Sequence, residues 1–200
     1  LEELLFHQLA SVARALLGTR EVFLFNEHFV VKPAGSTVHF KRHRDGDEQL
    51  PMSQTVKCKP YVSLWCALDD TGIWNGGLRA WPLSDGDDGT LDDRVPVLEV
   101  QAGGVVAFSS RVWHDSGPNT SERTRRVYYA QFSSQPIWGA PDTPLCFAVR
   151  SRPAQSEQPN LPTQTLAPAL PLLLNQAGGQ GRSCAVFFAL GSLGDVLPLA

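Results

Sequence analysis

The chain has 200 residues, 18% of them charged, and a formal net charge of −3. That length suits one domain with a sizeable core and leaves room for a tail. So small a charge argues against a nucleic-acid or polyanion partner. The basic run Lys41-Arg42-His43-Arg44 is short and is balanced by Asp45, Asp47 and Glu48.

Residues 1–17 predict an amphipathic helix covering a sheet, because Leu1, Leu4, Leu5, Leu9, Val12 and Leu16 recur at three- and four-residue steps before Gly18. Residues 21–31, rich in Phe and Val, read as a long strand. Residues 36–42 read as a strand leading into His43-Arg44-Asp45, and residues 62–68 as an apolar strand with Cys66 in the core. Residues 103–110 form a short apolar strand after a Gly turn, continued by Arg111-Val112-Trp113-His114. Residues 125–132 are a strong strand by β-branched and aromatic content, and a hairpin through residues 116–121 would return Arg125 beside His114.

The acidic stretch 85–93 lacks the ligand order and closing Glu of an EF-hand and reads as a solvated loop. Residues 151–182, rich in Pro, Gln, Ser and Leu, read as linker or disordered tail. Residues 184–199 are apolar again, but too short and too interrupted for a membrane span. The expected division is a barrel over 1–140 and a low-complexity tail over 141–200. Cys58, Cys66, Cys146 and Cys184 have no zinc-site spacing, and no signal peptide opens the chain. An intracellular, cytoplasmic setting follows, although a chain that begins at Leu1 leaves open a missing N-terminal targeting segment.

The chemistry gathers on a few residues. In a strand, residues i and i+2 share a face, so His43 and Asp45 can aim at one ion while Arg44 points away. With His114 they supply two imidazoles and one carboxylate, the donor set that leaves three positions open on an Fe(II) ion. Those positions can take O2 and a bidentate 2-oxo acid, whose far carboxylate a guanidinium can grip through its planar fork. A His-x-Asp tripeptide alone is weak, since a lone strand His is more often a surface or core residue. The restrictive signal is the order: His-x-Asp, a long β-rich stretch, His, then Arg eleven residues on. His7, His28 and His39 read as non-ligands; His39 shares the strand face of His43 but lacks a carboxylate two residues on.

Five blocks carry a further signal: Phe29 to Gly35; His43-Arg44-Asp45; Val62 to Asp70 followed by Asn75-Gly76-Gly77-Leu78-Arg79; Gly103 to Phe108; and His114 to Ser121 followed by Arg125-Arg126. In this order they resemble the phytanoyl-CoA dioxygenase family of Fe(II)/2-oxoglutarate oxygenases over roughly residues 1–135. The resemblance implies His43, Asp45 and His114 as iron ligands and Arg125 as the clamp for the distal carboxylate of 2-oxoglutarate. It also implies Ser116 as a hydroxyl assisting that clamp and Trp65 as an indole lining the cosubstrate pocket. Arg126 ranks second as a clamp, being on the opposite strand face. Trp81-Pro82-Leu83-Ser84-Asp85 departs from the family's pattern and puts the substrate lip in doubt, and the loops 45–61 and 85–94 look specific to this chain.

Short strands with Gly turns predict a mainly β sandwich or barrel. The resemblance narrows this to a double-stranded β-helix, a jelly-roll or cupin-like barrel with a flanking N-terminal helix. It implies hydroxylation of a small-molecule or acyl substrate using Fe(II), 2-oxoglutarate and O2, with release of succinate and CO2. In related halogenating enzymes a small residue replaces the carboxylate, so Asp45 favours hydroxylation. Arg79, Trp81 and Tyr128 are candidates for contacting the substrate. The competing readings are a catalytically inactive barrel acting as a scaffold, and a cupin-like metalloenzyme that would have no use for Arg125 and Ser116.

Overall fold

The computed structural model describes residues 1–46, 59–81, 94–140, 143–144, 149–151 and 188–190. A π-helical turn, Glu3–Leu9, runs into helix α1, Ala10–Leu17, which stops where Gly18 turns left-handed at φ 61°. The strands follow as β1 (Val22–Lys32), β2 (Phe40–His43), β3 (Val62–Ala67), β4 (Leu78–Ala80), β5 (Val105–Ser109), β6 (His114–Ser116) and β7 (Arg125–Ser133). Beyond them lie β8 (Trp138–Ala140), β9 (Thr143–Pro144), β10 (Val149–Ser151) and β11 (Phe188–Leu190). The large sheet has the order β10-β1-β7-β3-β5-β11, and a small sheet, β2-β6-β4, accompanies it. All the paired strands are antiparallel.

The central strands explain themselves by what flanks them. Every residue of β3 is buried, and so is every residue of β7 except Arg126. One face, with Leu64, Cys66, Ala107, Tyr128, Ala130 and Phe132, packs under Leu5, Leu9, Ala10 and Ala13 of the helical segment. The other, with Trp65, Ala67, Val106, Phe108, Val127 and Tyr129, meets Leu78 and Ala80 of the small sheet. A fully buried Leu of this kind contributes about 1.5–3 kcal/mol relative to exposure. Burial pushes the Cys66 thiol up to about 12, the mark of a core residue.

The structure corrects three local expectations. Residues 36–39 do not extend β2, because the chain there is bent: Ser36 N–H bonds the Pro33 carbonyl, Gly35 sits at φ 65°, and Ser36 carbonyl accepts from Asn119 N–H. Residues 111–113 do not continue β5. A turn closed by Val112 N–H on the Ser109 carbonyl breaks the strand, and the chain crosses to the small sheet. Nor is the segment after His114 a hairpin, since β6 and β7 belong to different sheets. Asn119 fixes that crossing loop by donating to the carbonyls of Lys32, Pro33 and Arg123 at 2.8–2.9 Å. Two short segments of the expected tail pair with the barrel, β10 on β1 and β11 on β5. The acidic stretch 85–93 and most of the chain-specific loops lie outside the described residues. Among the described residues no helix is long and apolar enough to cross a membrane.

Candidate active site

The small sheet carries both imidazoles. Phe40 pairs with Ser116 and His43 with His114, so three steps along β2 oppose two along β6. This bulge turns both Phe40 and His43 into the same cavity. The strand ends at His43 and a helical turn opens at Asp45. His43 and Asp45 therefore converge through that turn, not through pleat alternation along one strand. Gly46 N–H holds the turn to the Ser110 carbonyl at 3.0 Å.

His43 Nδ1 lies 2.6 Å from the Lys41 carbonyl and His114 Nδ1 3.0 Å from the Val112 carbonyl. A carbonyl only accepts, so each Nδ1 carries a proton, and in the neutral ring that leaves Nε2 as the metal-binding atom. These Nε2 atoms lie 3.9 and 3.6 Å from Asp45 Oδ1. One donor atom from each of His43, Asp45 and His114 falls within 4.8 Å of the others. Two neutral imidazole nitrogens and a carboxylate oxygen grouped in this way can hold a divalent first-row metal. The second oxygen of Asp45 is engaged elsewhere: Oδ2 accepts from Ser63 Oγ at 2.6 Å, from Gln131 Nε2 at 2.9 Å and from the Tyr129 hydroxyl. Burial, with the Asp45 carboxylate beside it, pushes the Tyr129 phenol well above its ordinary range.

The large sheet brings the cationic end. Arg125, 1% exposed, donates through Nη2 to the Gly76 carbonyl at 2.7 Å, and its guanidinium lies 5.8 Å from the Trp65 ring. Gly76 sits at φ 72°, where an added Cβ would meet the Gly117 carbonyl at 2.3 Å, so no side chain fits beside this contact. Arg125 Nη1 is buried with no hydrogen-bond partner among the described residues. Burial lowers this guanidinium to about 10. Arg126 faces the other way, exposed and paired with Asp69 at 2.7 Å.

Ser116 lines the cavity with its hydroxyl 2.8 Å from Lys32 Nζ, and that Lys is a residue the sequence reading missed. Lys32 is 1% exposed and also donates to the carbonyls of Ser116 and Gly117. Burial, then the neighbouring Arg125, lower it to about 8 against the pull of Asp115. Among the described residues neither Lys32 nor Arg125 makes an ion pair. Two adjacent buried cations repel each other, and an anion in the cavity beside Arg125 would relieve that cost.

The cavity, about 170 Å³, is lined by His43, Asp45, His114, Trp65, Ser116 and Arg125, the residues expected as metal ligands and cosubstrate contacts. It adds His28, Val30, Phe40, Leu78, Asp115 and Tyr129, none of which the sequence reading assigned to the site. Of the expected substrate contacts, Tyr128 points to the helix side and donates to Glu27, while its neighbour Tyr129 faces the cavity. Arg79 is held by a two-pronged pair with Asp115 at 2.7 Å, and buried Trp81 lies under Arg42 and Arg79.

A jelly-roll barrel with two His and one Asp grouped at a cavity has the donor set of the facial-triad metalloenzymes. The chain belongs to the phytanoyl-CoA dioxygenase (PhyH) family, whose model matches residues 1–127. Among solved structures it is similar to AviO1 from Streptomyces viridochromogenes Tue57, at 27% identity and TM-score 0.52 over 69% of this chain and 59% of that one. It is similar to EvdMO1 at 28% identity and TM-score 0.52, over 66% of this chain and 32% of that one. The non-heme monooxygenase ThoJ, solved with nickel, shares the fold at 20% identity and TM-score 0.53, over 74% of this chain and 62% of that one. The chain thus spans less than two thirds of each of these proteins' lengths. No curated protein matches it.

Proposed function

We propose that this chain is the barrel of an Fe(II)- and 2-oxoglutarate-dependent dioxygenase that hydroxylates a small-molecule or acyl substrate, with succinate and CO2 as co-products. The observation that carries the reading is Arg125: a buried guanidinium whose Nη1 has no hydrogen-bond partner among the described residues, in the same cavity as the His43, Asp45 and His114 donors. His43, Asp45 and His114 hold the metal. Arg125 holds the distal carboxylate of the cosubstrate; Lys32, whose three N–H groups are taken by Ser116 and Gly117, adds positive charge behind it, and Trp65 walls the pocket. When bound, the iron supplies oxidative C–H chemistry coupled to decarboxylation of the 2-oxo acid; the protein supplies orientation and exclusion of water. Lys32 and His28 lie on one face of β1, four residues and so about 13 Å apart. The cationic end suits the dicarboxylate, which leaves the His28 end for the substrate. We assign the activity to residues 1–140 and place the protein inside the cell, where reducing conditions suit Fe(II) and the free thiol of Cys66.

The test is anaerobic addition of Fe(II) with and without 2-oxoglutarate. The expected result is a weak visible charge-transfer band that needs both, and that is lost in His114→Ala. Iron binding without the band removes the cosubstrate, and absence of iron binding favours a scaffold barrel. Product mass then separates hydroxylation, which adds one oxygen atom, from epimerisation, the activity named for the structural neighbour SnoN.

Lys32 gives a pH signature. Its charge attracts the dicarboxylate below its pKa of about 8 and is lost above it. kcat/KM for 2-oxoglutarate is therefore expected to fall as pH rises through about 8, and Lys32→Met is expected to lose this limb. An unchanged limb in the variant assigns the titration to another group.

A further inference from the structure

We propose that Ser63, Tyr129 and Gln131 form a cradle that restricts Asp45 to a single metal-facing oxygen, making all three positioning residues for the metal centre. This rests on the metal reading above. The directions of the hydrogen bonds form one consistent chain. Asn26 Nδ2 donates to Gln131 Oε1 at 2.8 Å, which turns the Gln131 amide so that Nε2 faces Asp45. Gln131 Nε2 gives its two protons to Asp45 Oδ2 at 2.9 Å and to Ser63 Oγ at 3.1 Å. The Ser63 hydroxyl must then spend its own proton on Asp45 Oδ2, 2.6 Å away. Tyr129 adds a third donor to the same oxygen. A carboxylate oxygen offers about two lone-pair sites, so three donors saturate it. Oδ1 alone is left, 3.6 Å from His114 Nε2 and 3.9 Å from His43 Nε2.

The arrangement has a consequence for coordination. Asp45 lies in a turn beyond the end of β2, where an unrestrained carboxylate could swing and chelate with both oxygens. Ser63 on β3 and Tyr129 and Gln131 on β7 anchor it instead to the centre of the large sheet, at fully or nearly fully buried positions. A one-oxygen Asp45 keeps three metal positions open; a two-oxygen Asp45 would close one of them.

The test is an anaerobic Co(II) titration of the full chain, followed by the visible d–d absorbance of the bound ion. The melting of each metal-free variant is measured alongside. Tyr129→Phe and Ser63→Val are expected to bind Co(II) about tenfold more weakly than wild type and with an altered absorbance. Ser63→Thr has the shape of valine but keeps a hydroxyl, and is expected to recover both. Wild-type affinity and absorbance in Tyr129→Phe and Ser63→Val overturn the cradle, as does a Thr variant indistinguishable from the Val variant. If Ser63→Val fails to fold, Tyr129→Phe, which removes one oxygen and no volume from the packing, decides. Failure of the wild type to bind Co(II), or equal binding by His114→Ala, overturns the metal reading and the cradle with it.

Discussion

Asp45→Ala is expected to lose metal binding by at least about 100-fold, and turnover with it. The change removes the only carboxylate among the three donors, and with it the negative charge that favours a divalent cation over two neutral imidazoles. It also strands the hydroxyls of Ser63 and Tyr129 and the amide of Gln131, which now point at a vacated position. Loss of a supporting residue alone costs about 10–100-fold in metal affinity, and loss of a ligand exceeds that. Asp45→Asn keeps the shape and, with its carbonyl oxygen in the cradle, the cradle contacts, while the charge and the metal-facing oxygen are lost. Metal content after anaerobic reconstitution is the measurement. An Asp45→Ala protein with full metal content and activity would remove Asp45 from the ligand set.

Arg125→Lys is the second large effect. Lysine keeps the charge but loses the planar fork, and it cannot at once reach the Gly76 carbonyl and offer two parallel donors to a carboxylate. Hydrogen bonds to charged groups contribute about 1.5–3 kcal/mol, so the KM for 2-oxoglutarate is expected to rise about 10- to 100-fold. Iron affinity is expected to hold, because none of the metal-facing atoms belongs to Arg125. Arg126→Lys is the control: that side chain is exposed and engaged with Asp69, so KM is expected to stay at its wild-type value. A KM that moves in the control and not in Arg125→Lys transfers the clamp to Arg126.

The sequence was readable where one periodicity dominates. Leucines at helical spacing mark the N-terminal helix, and the β-branched and aromatic runs mark β3, β5 and β7. The order of His43, Asp45, His114 and Arg125 points to the site, and the cavity brings all four together. What stayed hidden depends on register and on crossing between sheets. The bulge in β2 depends on how Phe40 and His43 pair with β6, which no pattern within β2 reveals. Tyr128 and Tyr129 are adjacent and chemically alike; only the pairing of β7 with β1 and β3 decides that Tyr129 faces the metal donors. Lys32, at a strand end before Pro33, shows no sign of its burial in the sequence. It is buried because the loop pinned by Asn119 lays the Ser116 and Gly117 carbonyls over it. Ser63 and Gln131 look like ordinary polar residues in strands, and their use emerges only once Asp45 is turned toward them.

The two sheets contribute unequal halves of this centre. His43 and His114 stand on the small sheet, Arg125 and Trp65 on the large one, and Asp45 bridges from the first to the second. A bound metal and 2-oxo acid would thus be a staple across the barrel as well as reactants inside it. Their binding free energy adds to whatever holds the sheets face to face, rising with ligand concentration as RT ln(1 + [L]/Kd). The stability of the barrel would then depend on cosubstrate supply, so that scarcity of the 2-oxo acid would loosen the protein as well as idle it.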